Sequence, residues 1–178
     1  VSARLPISNK KNSPSFFVIE ADEYDTSFFD KRSKFIHYHP NTLILNNLEF
    51  DHADIFDNIE HIEKHFHHLI RTIPNIGKII FNHDNDSIKK VLKMGCWSET
   101  ESFGSKAQWS YKKINDDELE IYFKNKSQGF IKWDLIGHHN SLNALAAIAA
   151  AKHVGISSEK AIGSLNKFKN VKKRMELL

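Results

Sequence analysis

The four residues Thr42-Leu43-Ile44-Leu45 form a short apolar run that stops abruptly at Asn46-Asn47-Leu48-Glu49-Phe50-Asp51-His52-Ala53-Asp54. Such a run reads as a buried strand, and buried strands of an α/β sheet are normally covered on both faces. Ligands of these sheets bind beyond the carboxyl ends of the strands. Here the polar chemistry begins where the strand ends. Residues 16–19, Phe-Phe-Val-Ile, read as a second strand that ends the same way, in Glu20-Ala21-Asp22-Glu23-Tyr24-Asp25. Two acidic strand ends on one sheet edge suggest a divalent-cation or phosphate–metal site, because magnesium takes oxygen ligands and keeps its waters. The competing reading of the Glu20–Asp25 carboxylates is a solvated strand end, and that of His52 is a surface histidine in an acidic loop. For His52 the strand-end position favours function.

Hydrophobic periodicity supplies the frame around these ends. A helix is predicted over 57–73, with Ile59, Ile62, Phe66, Leu69, Ile70 and Ile73 on one stripe and Pro74 as its stop. Lys78-Ile79-Ile80-Phe81-Asn82 is the next buried strand, and a short helix over 87–94 follows with Gly95 at its end. This βαβα order predicts parallel strands in a doubly wound sheet. Over 108–134 the pattern changes to alternating apolar and polar residues separated by polar turns, which predicts an antiparallel meander. A meander needs one covered face, so it is expected beside the main sheet as a subsheet. Gly137-His138-His139-Asn140 then leads into a helix over 142–151, closed by Gly155, with Ser157 capping the next helix and Glu159 in its first turn. The fold class is therefore α/β: a mostly parallel doubly wound sheet with flanking helices and a small antiparallel subsheet, in one domain.

Composition excludes several function classes. The net charge of +3 comes mainly from lysine; the arginines are Arg4, Arg32, Arg71 and Arg174, with no cluster and no stacked aromatics, so no nucleic-acid partner is expected. The apolar run over 145–151 is too short to span a membrane. A single cysteine, Cys96, permits neither an internal disulfide nor a thiolate metal cluster and fits a cytoplasmic setting. His61, His65 and His68 share one helical face but lack the companions of a zinc motif, and a solvated polar face explains them. The glycines contain no Gly-x-x-x-x-Gly-Lys spacing, so a triphosphate is not cradled by a P-loop in these 178 residues. The chain opens without methionine and stops on an apolar pattern, which is read as an excerpt of a longer polypeptide with any such loop upstream of Val1.

Taken together, Ile19-Glu20-Ala21-Asp22-Glu23-Tyr24-Asp25, Asn46 to Asp54, Gly137-His138-His139-Asn140-Ser141-Leu142-Asn143-Ala144 and Val171-Lys172-Lys173-Arg174-Met175-Glu176 resemble, in order, the central domain of the Mur ligase family. The resemblance spans nearly all of this chain but only the middle of a three-domain architecture. It implies that the sugar-nucleotide domain, the P-loop and the carboxy-terminal domain lie outside it. It also implies ATP and Mg²⁺ as cofactors and ATP-dependent amide formation. By the same resemblance Glu20 and His52 would serve magnesium, His139, Asn140 and Asn143 the nucleotide, and Arg174 the ATP phosphates, with Glu20, His52 and Arg174 as the catalytic set. The lysine that many relatives carbamylate on the helix after the Asp-His motif has no clear counterpart; Lys64 is the sole lysine there, and the role is not transferred. The wording of 28–35 and of Leu-Glu-Phe-Asp-His is closest to the branch joining UDP-N-acetylmuramate to the murein tripeptide L-Ala-γ-D-Glu-meso-diaminopimelate. The branch that adds L-alanine is the alternative. Outside the family the rivals are a metal-dependent hydrolase and a non-catalytic binding module, and these residues alone are expected to be inactive.

Overall fold

The computed structural model describes residues 16–49, 56, 58–135 and 137–168. Six strands form one sheet in the order β1-β2-β3-β4-β5-β6: β1 (Thr42–Leu45), β2 (Lys78–Asn82), β3 (Glu99–Phe103), β4 (Trp109–Lys113), β5 (Glu118–Phe123) and β6 (Lys126–Lys132). The β1–β2 and β2–β3 ladders are parallel, whereas β4–β5 and β5–β6 are antiparallel. Helices α1 (Ile59–Ile70) and α2 (Asp86–Lys93) contribute to a core with β1 on one face, while α3 (His138–His153) and α4 (Ser158–Leu165) contribute to a second core with the meander. The α/β class and helices on both faces are as expected from the pattern. No helix among the described residues is long and apolar enough to cross a membrane.

Local chemistry explains most boundaries. The Asn58 side chain accepts from the His61 amide and opens α1, and Ile62, Leu69, Ile70 and Ile73 of the predicted stripe are buried. The Asn85 side chain caps α2 through the Ile88 amide, and Gly95 follows it at a φ of 142°, a conformation glycine adopts freely. Ser157 caps α4 as predicted, accepting from the Lys160 amide. Lys124 and Asn125, both at positive φ, make the tight β5–β6 turn.

Four expectations are corrected and one strand, β3, is added. Residues 16–19 form no strand: Phe16, Phe17, Val18 and Ile19 are exposed, and no strand among the described residues offers them the hydrogen-bonding ladder that a strand requires. β1 is not fully covered: Leu43 and Leu45 are buried, whereas Ile44, on the face along which α3 lies, is 41% exposed. β3 went unpredicted because Glu99-Thr100-Glu101-Ser102-Phe103 carries polar side chains; burial of Glu101 and Ser102 is tolerated because Trp109 Nε1–H donates to Glu101 and the Gln108 amide donates to Ser102 Oγ. The meander is continuous with the main sheet, because Trp109 pairs in parallel with Phe103. Finally, α3 starts at His138, so the His139-Asn140 pair lies on the helix rather than on a turn before it.

Candidate nucleotide site at the carboxyl rim of the sheet

The position of α3 follows from two bonds at its two ends. Near its start, Asn46 Nδ2 donates to Asn143 Oδ1 over 2.7 Å; at its last residue, His153 Nδ1 lies 2.8 Å from Thr42 Oγ1. Thr42 opens β1 and Asn46 directly follows it. Ten residues of helix rise about 15 Å and four residues of strand about 13 Å, so the two anchors match only if α3 runs antiparallel along β1. Tyr111 Oη, 2.8 Å from His138 Nδ1, ties the first helical residue to β4 as well. The amino end of α3 is thereby delivered to the carboxyl rim of the sheet, where the partial positive charge of a helix start faces any bound anion. Small residues permit this close seat: Ala144, Ala146 and Ala149 are buried alongside Leu145 and Ile148.

The rim itself is cross-linked from strand to strand. Asn85 Nδ2 donates to the Leu48 carbonyl over 3.3 Å, which ties the segment after β1 to the start of α2. Asp84 Oδ2 accepts from the Ser105 amide and hydroxyl at 2.8 and 2.9 Å, joining the ends of β2 and β3. Gly104, at φ 139°, admits this carboxylate; a Cβ there would stand 2.7 Å from Asp84 Oδ2.

The residues singled out from sequence distribute unevenly. His139 and Asn143 are exposed on α3 and Asn140 is half-buried beside them, so the trio expected to serve a nucleotide is brought together on one helix start. Glu20 is exposed in the irregular segment before the first turn. His52 and Arg174 lie outside the described residues. Within the acidic cluster, Asp22 is held by Lys34 and Asp25 by Lys31, each at 2.9 Å. No group of three or more His, Cys, Asp or Glu that could hold a metal occurs among the described residues. Magnesium asks little of a protein, one or two carboxylates together with water and phosphate oxygens, and the exposed carboxylate of Glu20 fits that donor chemistry.

The histidine stripe is not merely solvated. His65 Nδ1 lies 2.7 Å from the hydroxyl of fully buried Ser33, and the rings of His61 and His65 both pack edge-on against buried Phe56. Burial, then the neighbouring His61 and His68, holds the His65 pKa below its ordinary value, although Asp25 pulls the other way. Sequence reasoning missed Asn46 as a partner of the helix; its carboxamide at a strand end was the available signal.

A sheet with polar strand ends on one rim, closed by a helix whose first turns carry a His-Asn-x-x-Asn set, is an α/β arrangement with a candidate ligand rim. The chain belongs to the Mur ligase middle domain family, whose model matches residues 4–151. It is 50% identical, over 99% of its length, to the UDP-N-acetylmuramate–L-alanyl-γ-D-glutamyl-meso-2,6-diaminoheptandioate ligase of Escherichia coli (strain K12), and covers 39% of that protein. The enzyme of the same name from Haemophilus influenzae is 44% identical over 99% of the chain, which covers 40% of it. Among solved structures, the UDP-N-acetylmuramate:L-alanyl-γ-D-glutamyl-meso-diaminopimelate ligase from Neisseria meningitides superposes with a TM-score of 0.88 at 50% identity, over 96% of this chain and 53% of that one. The chain thus spans about two fifths of the length of these two curated relatives.

Proposed function

We propose that this chain is the ATP-handling part of a ligase that joins UDP-N-acetylmuramate to the murein tripeptide L-Ala-γ-D-Glu-meso-diaminopimelate in the cytoplasm, as a step of peptidoglycan recycling. The observation that carries the reading is α3, pinned to β1 at both ends so that Asn140 and Asn143 stand on the rim where the Asn46–Asp54 segment begins. The two tripeptide ligases at 44 and 50% identity support this branch over the one that adds L-alanine.

In the proposed reaction a carboxylate oxygen of the muramic acid attacks the γ-phosphorus of ATP and ADP departs, leaving an acyl phosphate. The tripeptide amine then adds to the acyl carbon, the tetrahedral adduct expels phosphate, and the amine proton passes to solvent. Such chemistry gains chiefly from placement and charge neutralisation. His139, Asn140 and Asn143 would hold the nucleotide, Arg174 would meet its phosphates, and Glu20 and His52 would hold Mg²⁺. The bound ion would supply charge neutralisation at the transferring phosphoryl group. A metal-dependent hydrolase would leave the Asn140–Asn143 set without a purpose.

The test is Glu20→Ala in a polypeptide extended to the relatives' length. Ligation should be lost while the fold persists by circular dichroism; near-normal turnover at saturating Mg²⁺ defeats the reading. The 178 residues alone should neither ligate nor bind ATP tightly, which calorimetry with Mg²⁺ checks directly.

A further inference from the structure

The bond that seats α3 also orients one side chain of the nucleotide trio. A carboxamide carries its acceptor and its donor on opposite arms of one plane, so engaging the oxygen fixes where the NH₂ points. Asn46 Nδ2 engages Asn143 Oδ1 at 2.7 Å. Both partners have fixed backbones. Asn46 follows β1, and two residues later the Leu48 carbonyl is held by Asn85; α3 is kept from sliding by His153 on Thr42 and by His138 beside Tyr111. Asn143 is exposed, so the arm turned away from Asn46 is open to a ligand.

The geometry points to Asn46 as a positioning residue that locks the Asn143 carboxamide with its NH₂ outward, so that this corner of the rim selects a ligand presenting a hydrogen-bond acceptor, such as a ring nitrogen of a purine. The inference rests on the reading of Asn143 as a nucleotide contact and adds a direction to it. Asn46 itself touches no reacting atom and acts through Asn143 alone. An aspartate at 46 can only accept. It would draw the Asn143 NH₂ toward itself and turn the oxygen outward, opposing acceptor to acceptor.

The experiment is steady-state kinetics of the full-length ligase with Asn46→Asp, Asn46→Ala, Asn143→Ala and the Asn46→Asp/Asn143→Ala pair, each accompanied by a thermal melt. Asn46→Asp should raise KM for ATP about tenfold, as expected for one reversed hydrogen bond, with kcat and KM for the sugar nucleotide within about twofold. Asn46→Ala, which frees the amide without reversing it, should raise KM for ATP by about threefold. On the Asn143→Ala background Asn46→Asp should add nothing, because the group it orients is gone. If Asn143→Ala raises KM for ATP and Asn46→Asp does not, the positioning role is overturned while the nucleotide contact stands. If Asn143→Ala leaves KM unchanged, the nucleotide contact itself fails and the positioning role with it. A fall in melting temperature accompanied by equal losses toward every substrate assigns Asn46 to the scaffold and also overturns the inference.

Discussion

The two cores on opposite faces of the sheet differ in what they exclude. Under α3 and α4 the core is nearly all apolar: Phe103, Trp109, Ile121, Ile131, Leu145 and Ile148 are fully buried. Its main polar intrusion is Glu101, which accepts from Trp109 Nε1 and sits 3.5 Å from Lys78 Nζ. Under α1 and α2 the core also buries large side chains, Phe35, Phe56, Ile70 and Ile79 among them, but it is threaded with polar ties. Ser33 meets His65, and Glu63 meets Lys90 at 2.6 Å. The dry core holds α3 rigid and so fixes the candidate nucleotide trio. The wet core ties the segment after Glu20 to α1 through the contact of Ser33 with the His65 imidazole.

The sharpest way to break this contrast is Trp109→Ala. It should cost about 3–5 kcal/mol through the cavity left in the dry core, read as a drop in the urea midpoint. If that variant also detaches α3 from β1, the proposed ATP-dependent activity of the full-length protein should fall further than stability alone explains. Asn85→Ala removes both the α2 cap and the tie to the Leu48 carbonyl, and should cost about 1–2 kcal/mol by the same measurement. Ser33→Ala, in the wet core, should cost about 1 kcal/mol by leaving the half-buried His65 ring without its hydroxyl partner.

The smallest effect is a pH dependence that should separate the two cores. His65 and His68 have folded pKa values below their ordinary 6.5, in each case chiefly through burial. A lowered histidine pKa means the unfolded chain binds the proton first, so stability is flat above about pH 6.5 and falls as the pH drops through that value toward the folded pKa. Urea midpoints between pH 7.5 and 5 should therefore decline, and His65→Gln should flatten the decline. His153→Gln, in α3, should flatten it less, because Glu99 and Glu101 oppose the burial and the nearby Lys78 that lower His153. An equal effect from both variants removes the distinction between the cores.

Much of the fold was legible because its signals are local. The stripe of Ile59, Ile62, Leu69 and Ile70 follows from helical spacing, the caps at Ser157 and Gly95 from backbone chemistry, and β4–β6 from alternation. The failures involve partners that no helical or strand periodicity announces. β3 is polar and holds its place by pairing with β2 and by bonds to Gln108 and Trp109. Residues 16–19 have a strand's composition without a strand's ladder. For the candidate site, the motif residues on α3 were visible, and the histidine stripe was read as solvated because nothing in the sequence announces that Ser33 and Phe56 lie against it.

The sequence by itself determined the types of helices α1–α4 and of every described strand but β3, the polar ends of β1 and β2, and the presence of a His-Asn-x-x-Asn set, since each depends on the chemistry of neighbouring residues. Only the tertiary structure decided that Asn46 meets Asn143, that His153 meets Thr42, and that the meander extends the parallel sheet through Phe103 and Trp109. Asn46 and Asn143 are 97 positions apart, and Thr42 and His153 are 111 apart. Such contacts form only once burial of the two cores has offset the entropy of closing those long loops, and no local pattern encodes them.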